Sequence, residues 1–224
     1  MEVLKTFRHE FKYRISYDEM LALRKKFDEV LNIDRDSRGY LIRSLYFDSL
    51  DDDDYYSKLN GEYVRKKIRL RTYDISSNKV KLEIKQKIDI HQLKESLVIS
   101  KKDAKELMKE NYDVLLSYDN DVALKIYSIL VGNLYKPKVI IEYSRVAYTT
   151  NTTTRITFDM NIKKCDDVLS LFKKNVNYIP VSSPRDVVME IKFDRFLEPY
   201  ITEIINKYVA NNESVSKYVM GRNM

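Results

Sequence analysis

Cysteine, histidine, glycine and proline are scarce in this 224-residue chain, which has one cysteine (Cys165), two histidines (His9 and His91), four glycines and four prolines. A single cysteine excludes an internal disulfide framework and a four-cysteine zinc site. Two histidines leave little material for His-rich metal sites or serial histidine chemistry. No G-x-G-x-x-G and no G-x-x-x-x-G-K-[ST] occurs, so a Rossmann or P-loop nucleotide site is not expected. Long apolar runs are also lacking. The longest stretches free of Asp, Glu, Lys and Arg are 10 residues, at 126–135 and 175–184, far short of a membrane-spanning helix. The opening Met1-Glu2-Val3-Leu4-Lys5 leads straight into a charged strand pattern. No signal peptide is expected, and the expected location is cytoplasmic.

Charge and apolar residues are both plentiful. Charged residues make up 33% of the chain and hydrophobic ones 44%, enough to bury a core and too apolar for disorder. Lys and Arg total 40 against 34 Asp and Glu, a net charge of +6, which points to an anionic partner. No linker, low-complexity segment or repeat of solenoid length divides the chain, so residues 1–224 read as one domain.

Most segments alternate with period 2, the signature of strands with one apolar and one polar face. The pattern runs through Thr6–Ile15, Tyr63–Tyr73, Lys79–Asp89, Thr154–Ile162 and Val187–Asp194. Tyr40–Asp48, Lys94–Ile99 and Lys138–Thr149 alternate less regularly. That predicts about eight strands, mostly antiparallel. Helices are fewer. Ser16-Tyr17-Asp18-Glu19 is a capping box opening a helix to about Leu31, and Ser100-Lys101-Lys102-Asp103 opens one to about Asn111. Asp119 or Asn120 caps a third through Leu134, and a fourth follows Pro199 to about Val209.

The polar strand faces carry charge of both signs, with cations in excess. Arg8, Lys12, Arg14, Arg65, Lys67, Arg69, Arg71, Lys81, Lys85, Lys87, Arg145, Arg155 and Lys192 stand against Glu10, Glu83, Asp159, Glu190 and Asp194. A wet sheet face accounts for lysines on any one strand. It accounts less well for arginines on adjacent strands, which are planar donors suited to phosphate oxygens. Two like charges about 5 Å apart at an effective dielectric of about 20 repel by roughly 3 kcal/mol. A bound polyanion would relieve that repulsion. Eight strands can close into a barrel. Helices covering the apolar strand faces would leave the charged faces inside, as a polar tunnel.

Other features read plainly. Asp51–Asp54 lacks the alternating spacing of a calcium loop and reads as a solvated helix start before Tyr55-Tyr56. His9 falls on the apolar parity of its strand and reads as packed, whereas His91 lies in a connection. Cys165 packs or sits in a turn beside Asp166-Asp167, with no base near it.

The motifs Glu10-Phe11-Lys12-Tyr13, Ser44-Leu45-Tyr46-Phe47-Asp48, Lys67-Ile68-Arg69-Leu70-Arg71-Thr72-Tyr73, Leu82-Glu83-Ile84-Lys85, Tyr143-Ser144-Arg145, Arg155-Ile156-Thr157-Phe158-Asp159, Met189-Glu190-Ile191-Lys192 and Ser216-Lys217-Tyr218 come in the order seen in the VTC domain. From about Phe7 to Gly221 the chain resembles a bacterial-type VTC domain, within the triphosphate tunnel metalloenzymes (the CYTH-like superfamily). The resemblance implies an α+β fold: an eight-stranded antiparallel β-barrel tunnel with a charged interior, wrapped by helices. Eukaryotic relatives polymerise the γ-phosphate of ATP into inorganic polyphosphate, and other members hydrolyse triphosphates or cyclise ATP. Carried over by motif, Lys12, Arg69, Arg71, Lys85, Arg145 and Arg155 would form the catalytic phosphate-holding set. Arg8, Lys67, Lys192, Ser216 and Lys217 would bind substrate. Glu190, with Glu10 or Glu83, would hold Mn²⁺ or Mg²⁺.

The hydrolase and cyclase branches open with Glu-x-Glu-x-Lys. Here the string is Arg8-His9-Glu10-Phe11-Lys12, which lowers metal capacity and favours the polymerase-like branch over a two-metal triphosphatase. The expected ligands are ATP or another triphosphate and inorganic polyphosphate. A membrane-protein partner at the inner face of the membrane is part of the same expectation. Nucleic acid is not expected, because the aromatics do not interleave with the arginines. A polyphosphate-binding module without turnover, or a triphosphatase of the same fold, is the alternative.

Overall fold

The structure is a computed structural model and describes residues 8–89, 91–209 and 213–223. Along the chain come β1 (Arg8–Ser16), α1 (Tyr17–Val30), β2 (Asn32–Asp34), β3 (Tyr40–Asp48), α2 (Asp53–Leu59), β4 (Val64–Thr72), β5 (Lys79–Ile88) and β6 (His91–Ser100). They are followed by α3 (Lys101–Leu107), α4 (Asp121–Gly132), β7 (Lys136–Thr149), β8 (Arg155–Cys165), β9 (Ile179–Pro180), β10 (Asp186–Asp194), α5 (Pro199–Asn206) and α6 (Lys217–Arg222). Short 3-10 turns occupy Tyr112–Ser117 and Val168–Ser170. The chain forms two compact units. The first comprises Met1–Leu41, Tyr143–Ile162 and Ser182–Ser216; the second comprises Ile42–Glu142, Lys163–Val181 and Lys217–Met224.

In the first unit the strand order is β1-β10-β8-β7, with β2 against the end of β7. The register places Lys12 opposite Glu190, Glu10 opposite Lys192, and Lys192 opposite Arg155. The other parity is apolar, and Ile156, Phe158, Met189 and Ile191 are buried. They pack against Met20, Leu23 and Phe27 of α1 and against Ile201 and Ile205 of α5. Spacings of three and four put the α1 residues on one helix face. The expected capping box is formed: the Glu19 N–H donates to Ser16 Oγ (3.2 Å), and the Ser16 N–H donates to Glu19 Oε2 (2.7 Å). His9 stacks on Phe193 at 5.2 Å between ring centroids, but it stays exposed near the strand end.

In the second unit the order is β7-β3-β4-β5-β6, with β9 on the end of β8. Leu45, Phe47, Ile68, Leu70, Leu82 and Ile84 form the sheet side of the core, beneath Ala104 and Leu107 of α3 and Ala123, Ile126 and Leu130 of α4. Ser100 caps α3 by accepting from the Asp103 N–H (3.0 Å), and Asn120 caps α4 by accepting from the Val122 N–H (2.9 Å). Helix α3 ends at Leu107, before the expected Asn111. There the backbone tightens into i→i−3 bonds, and Glu110 turns to φ 68°. Helix α6 lies close in, because a Cβ on Gly221 would fall 2.3 Å from Ile141 Cδ1.

Three expectations are corrected. Among the described residues ten strands form instead of eight, because β2 and β9, of three and two residues, are too short to show a period. Among the described residues the strand order is open, with β1 and β6 at its ends, and does not close into a barrel. The Asp51–Asp54 run does start a helix, and Asp51 and Asp53 are exposed as expected, but its last residue is not solvated. Asp54 is buried (2% exposed), and the N–H groups of Asp54 and Tyr55 donate to the Asp48 carboxylate at 2.8 and 3.0 Å.

Candidate functional site

The charged parity of β4, β5 and β6 is one face of the second unit. The register sets Arg65 opposite Lys87, Lys67 opposite Lys85, Arg69 opposite Glu83 and Arg71 opposite Lys81. Lys94 stands opposite Lys85 on the next strand. Adding Lys79, whose parity is the same, this face of three strands holds nine cations and one acid, Glu83. Opposed residues share a face in an antiparallel ladder, so the crowding follows directly from the register.

Two of these cations are nearly inaccessible: Arg69 is 8% and Arg71 7% exposed. Arg69 gives Nε and Nη2 to Glu83 Oε2, both at 2.7 Å, and Nη1 to the Tyr46 hydroxyl at 3.2 Å. Arg71 gives Nε to Ser44 Oγ (3.2 Å), and its Nη1 lies 3.8 Å from Glu83 Oε2. Lys94 Nζ is 2.5 Å from Glu83 Oε1. Burial by itself would raise the Glu83 pKa, but Arg69, Arg71 and Lys94 together overcome it and hold the carboxyl far below the usual range. The Tyr46 phenol is also displaced. Burial pushes it up, yet Arg69, Lys67 and Arg71 bring it down to about 8.

Lys67 lies over two stacked rings, 5.7 Å from the Tyr46 centroid and 5.6 Å from that of Tyr218, a cation–π arrangement. Tyr218 comes from α6, which Lys217 opens, and its hydroxyl donates to Asp48 Oδ2 at 2.5 Å. Lys85 lies on the same face as Lys67 and Lys94.

The first unit carries the other predicted residues, and there the signs are mixed. Lys12 pairs with Glu10, and Lys192 pairs with Glu190. Arg145 makes a two-pronged contact to Asp159, Nε to Oδ1 at 2.6 Å and Nη2 to Oδ2 at 2.7 Å. Burial would lower the Arg145 pKa, but Asp159 outweighs it and secures the charge. Arg155 gives Nη2 to Asp34 Oδ2 (2.5 Å) and to the Tyr40 hydroxyl (3.2 Å). Ser216 precedes α6 at the end of this unit's chain. Arg8 is paired opposite Asp194 in β1, and its side chain lies outside the described residues. A cavity of about 420 Å³ in this unit is lined by Asn32, Thr150, Thr152 and Glu198 among others, and by none of the predicted site residues.

Among the described residues, no three His, Cys, Asp or Glu side chains converge as a ready-made metal site. Glu10 and Glu190 nonetheless stand diagonally on adjacent strands of one face. Each is held by a lysine two positions along its own strand, a partner that a phosphate could take over. Two carboxylates with ligands borrowed from phosphate suit Mg²⁺ or Mn²⁺. Glu83 does not fit that role, because its two oxygens already face three cations.

Sequence reasoning missed three groups. Lys94 sits on the less regular strand, where Lys94, Ser96 and Val98 share a parity that shows no charged pattern. The Tyr46–Tyr218 stack joins residues far apart in the chain, so no local signal reveals it. The buried Arg43–Glu142 pair (2.6 Å) escaped because Arg43 sits on the apolar parity of β3. Arg43 also donates to the carbonyls of Leu171 and Lys173, and its role is to tie these segments together.

A family model for the VTC domain matches residues 7–224. No curated protein matches the chain. Among solved structures the chain is similar to a candidate adenylate cyclase of Vibrio parahaemolyticus, with 14% identity, a TM-score of 0.55, and 96% of this chain and 97% of that one covered. It is similar to another from Bacillus halodurans, with 16% identity, a TM-score of 0.53, and 91% and 92% covered. A chain of the Schizosaccharomyces pombe Mediator head module gives 5% identity, a TM-score of 0.50, and 92% and 97% covered. At these identities the likeness is one of fold. Chains named for a cyclase and for the Mediator head share it, so the fold alone assigns no activity.

Proposed function

Because the chain belongs to the VTC domain family over residues 7–224, we propose that it acts, as one domain, on the phosphate chain of a nucleoside triphosphate. In this reading it binds ATP or another triphosphate and transfers phosphoryl groups to make inorganic polyphosphate. One observation carries the proposal: the face of β4, β5 and β6 holds nine cations to one acid, with two arginines buried in it. A sheet face so unbalanced is stabilised by a polyanion that runs along it.

The residues divide the work. Arg69, Arg71, Lys67, Lys85 and Lys94 bind phosphate oxygens in the second unit. In the first unit Lys12, Arg145, Arg155 and Lys192 do so, each exchanging part of its present carboxylate contact. Lys217 and Ser216 supply further donors from the C-terminal segment. Glu190 and Glu10 would hold Mn²⁺ or Mg²⁺, which neutralises charge on a transferring phosphoryl group. The attacking group is a phosphate oxygen that carries no proton to remove, so no general base is needed. Phosphoryl transfer then depends on charge neutralisation and in-line alignment. A membrane-protein partner that receives the product belongs to the same reading. No described helix is long and apolar enough to cross a membrane.

A phosphate-chain-binding module without turnover is the second reading. It is favoured by the ion pairs that already engage Glu10 and Glu190 with Lys12 and Lys192. Incubation with ATP and Mn²⁺, scored for both polyphosphate chains and free phosphate, separates the two. Chains support the polymerase, and free phosphate alone supports a triphosphatase. Tight binding of phosphate chains with no turnover in any divalent metal leaves the binding module.

A further inference from the structure

Glu83 is 1% exposed and is the single acid among nine cations on its face of β4, β5 and β6. A buried carboxylate needs partners to stay charged, and Glu83 has three. Arg69 binds Oε2 through two nitrogens, Arg71 approaches the same oxygen, and Lys94 meets Oε1. Both oxygens thus face cations, and a divalent ion brought to either one would add its charge to a side that already holds Arg69, Arg71 and Lys94.

We propose that Glu83 is the positioning residue of the phosphate-chain site: it orients Arg69, Arg71 and Lys94 against their mutual repulsion and does not bind metal. This rests on the phosphate-chain reading above. The physical reason is that an arginine presents donors on two edges. With Nε and Nη2 of Arg69 directed to Glu83, the remaining edge carries Nη1, which now reaches the Tyr46 hydroxyl at 3.2 Å. The orientation of that fork is therefore set by a carboxylate that never touches the ligand. Donors fixed in advance bind more tightly than donors that must be ordered on binding.

The two roles for Glu83 predict opposite signs. If Glu83 were a metal ligand, Glu83→Gln would remove a repelling charge, so metal-free binding of inorganic tripolyphosphate would stay level or tighten. If Glu83 positions the cations, metal-free binding weakens even though the protein becomes more positive. Calorimetry of wild type, Glu83→Gln and Glu83→Asp with tripolyphosphate, without metal, decides between them. The expected result is a loss of about tenfold or more for Glu83→Gln, the size of one charge-assisted hydrogen bond. Glu83→Asp, which keeps the charge, should recover most of the affinity, as a merely structural role would not require. Mn²⁺ affinity, read by electron paramagnetic resonance, should be the same in wild type and Glu83→Gln. Unchanged or tighter tripolyphosphate binding by Glu83→Gln, or loss of Mn²⁺ binding, overturns the inference.

If Glu83→Gln does not fold, wild type supplies the test. The Arg69 Nε–H signal in nitrogen-edited NMR should survive sub-stoichiometric Mn²⁺, and its selective broadening would place the ion at Glu83 and overturn the inference. A wild type that binds no tripolyphosphate defeats the phosphate-chain reading itself, whereas an unaffected Glu83→Gln defeats only the role given to Glu83.

Discussion

Asp54→Asn should stabilise the protein above neutral pH and flatten its pH dependence. Asp54 is 2% exposed, and its carboxylate is faced by Lys66, by the Tyr135 hydroxyl and by the Asp48 carboxylate. Burial, and next the Asp48 charge, raise its pKa from an ordinary 3.8 to about 7; Lys66 offsets only part of this. Between those two values the folded protein holds a proton that the unfolded chain has released, so stability falls as pH rises from about 4 to about 7. About three pKa units at 1.36 kcal/mol each set a ceiling of about 4 kcal/mol. Taking half of that for local relaxation, the variant should gain about 2 kcal/mol at pH 8, or roughly 4–8 °C in Tm for a chain of this size. Asparagine keeps the side-chain shape and leaves intact the Asp54 N–H bond to Asp48. Thermal melts of both proteins from pH 4 to pH 8.5 give a difference curve from which other titrations cancel. It should lie near zero at pH 4 and rise towards pH 8. A variant less stable than wild type at pH 8 would refute the reasoning, because the carboxylate would then be ionised and stabilising through Lys66.

Three further outcomes follow from the same geometry. Arg71→Ala should weaken tripolyphosphate binding by about 1.5–3 kcal/mol, the range for a charge-assisted hydrogen bond, and calorimetry at fixed ionic strength checks it. Glu190→Gln should leave metal-free tripolyphosphate binding intact and reduce Mn²⁺-dependent turnover by orders of magnitude; normal turnover would mean that the ion is held elsewhere. Gly221→Ala should cost about 1–3 kcal/mol in urea unfolding through overpacking against Ile141 Cδ1. Ile141→Val removes that atom, so in combination it should recover part of the loss; no recovery would place the clash in the backbone.

The chain itself determined which residues share a face. Alternation at Lys67, Arg69 and Arg71 and at Lys81, Glu83 and Lys85 places those side chains on one side of β4 and β5, because successive Cβ atoms point to opposite faces whatever the partner strand. The helix starts were equally local, since Ser16, Ser100 and Asn120 bond to N–H groups two or three residues ahead. Tertiary structure alone decided the rest. Strand order, closure and register are set by contacts between distant segments, so an open order of ten strands and a closed one of eight are both compatible with the same alternation. The fate of each charge was decided there too. Glu83 looked like any inward acid until the register put Arg69 opposite it and Lys94 one strand beyond. Asp54 looked solvated until Asp48, Lys66 and Tyr135 closed around it. Local periodicity fixes a side chain's direction, but its partners, and hence its pKa and its chemistry, come from strands and helices that folding brings from elsewhere in the chain.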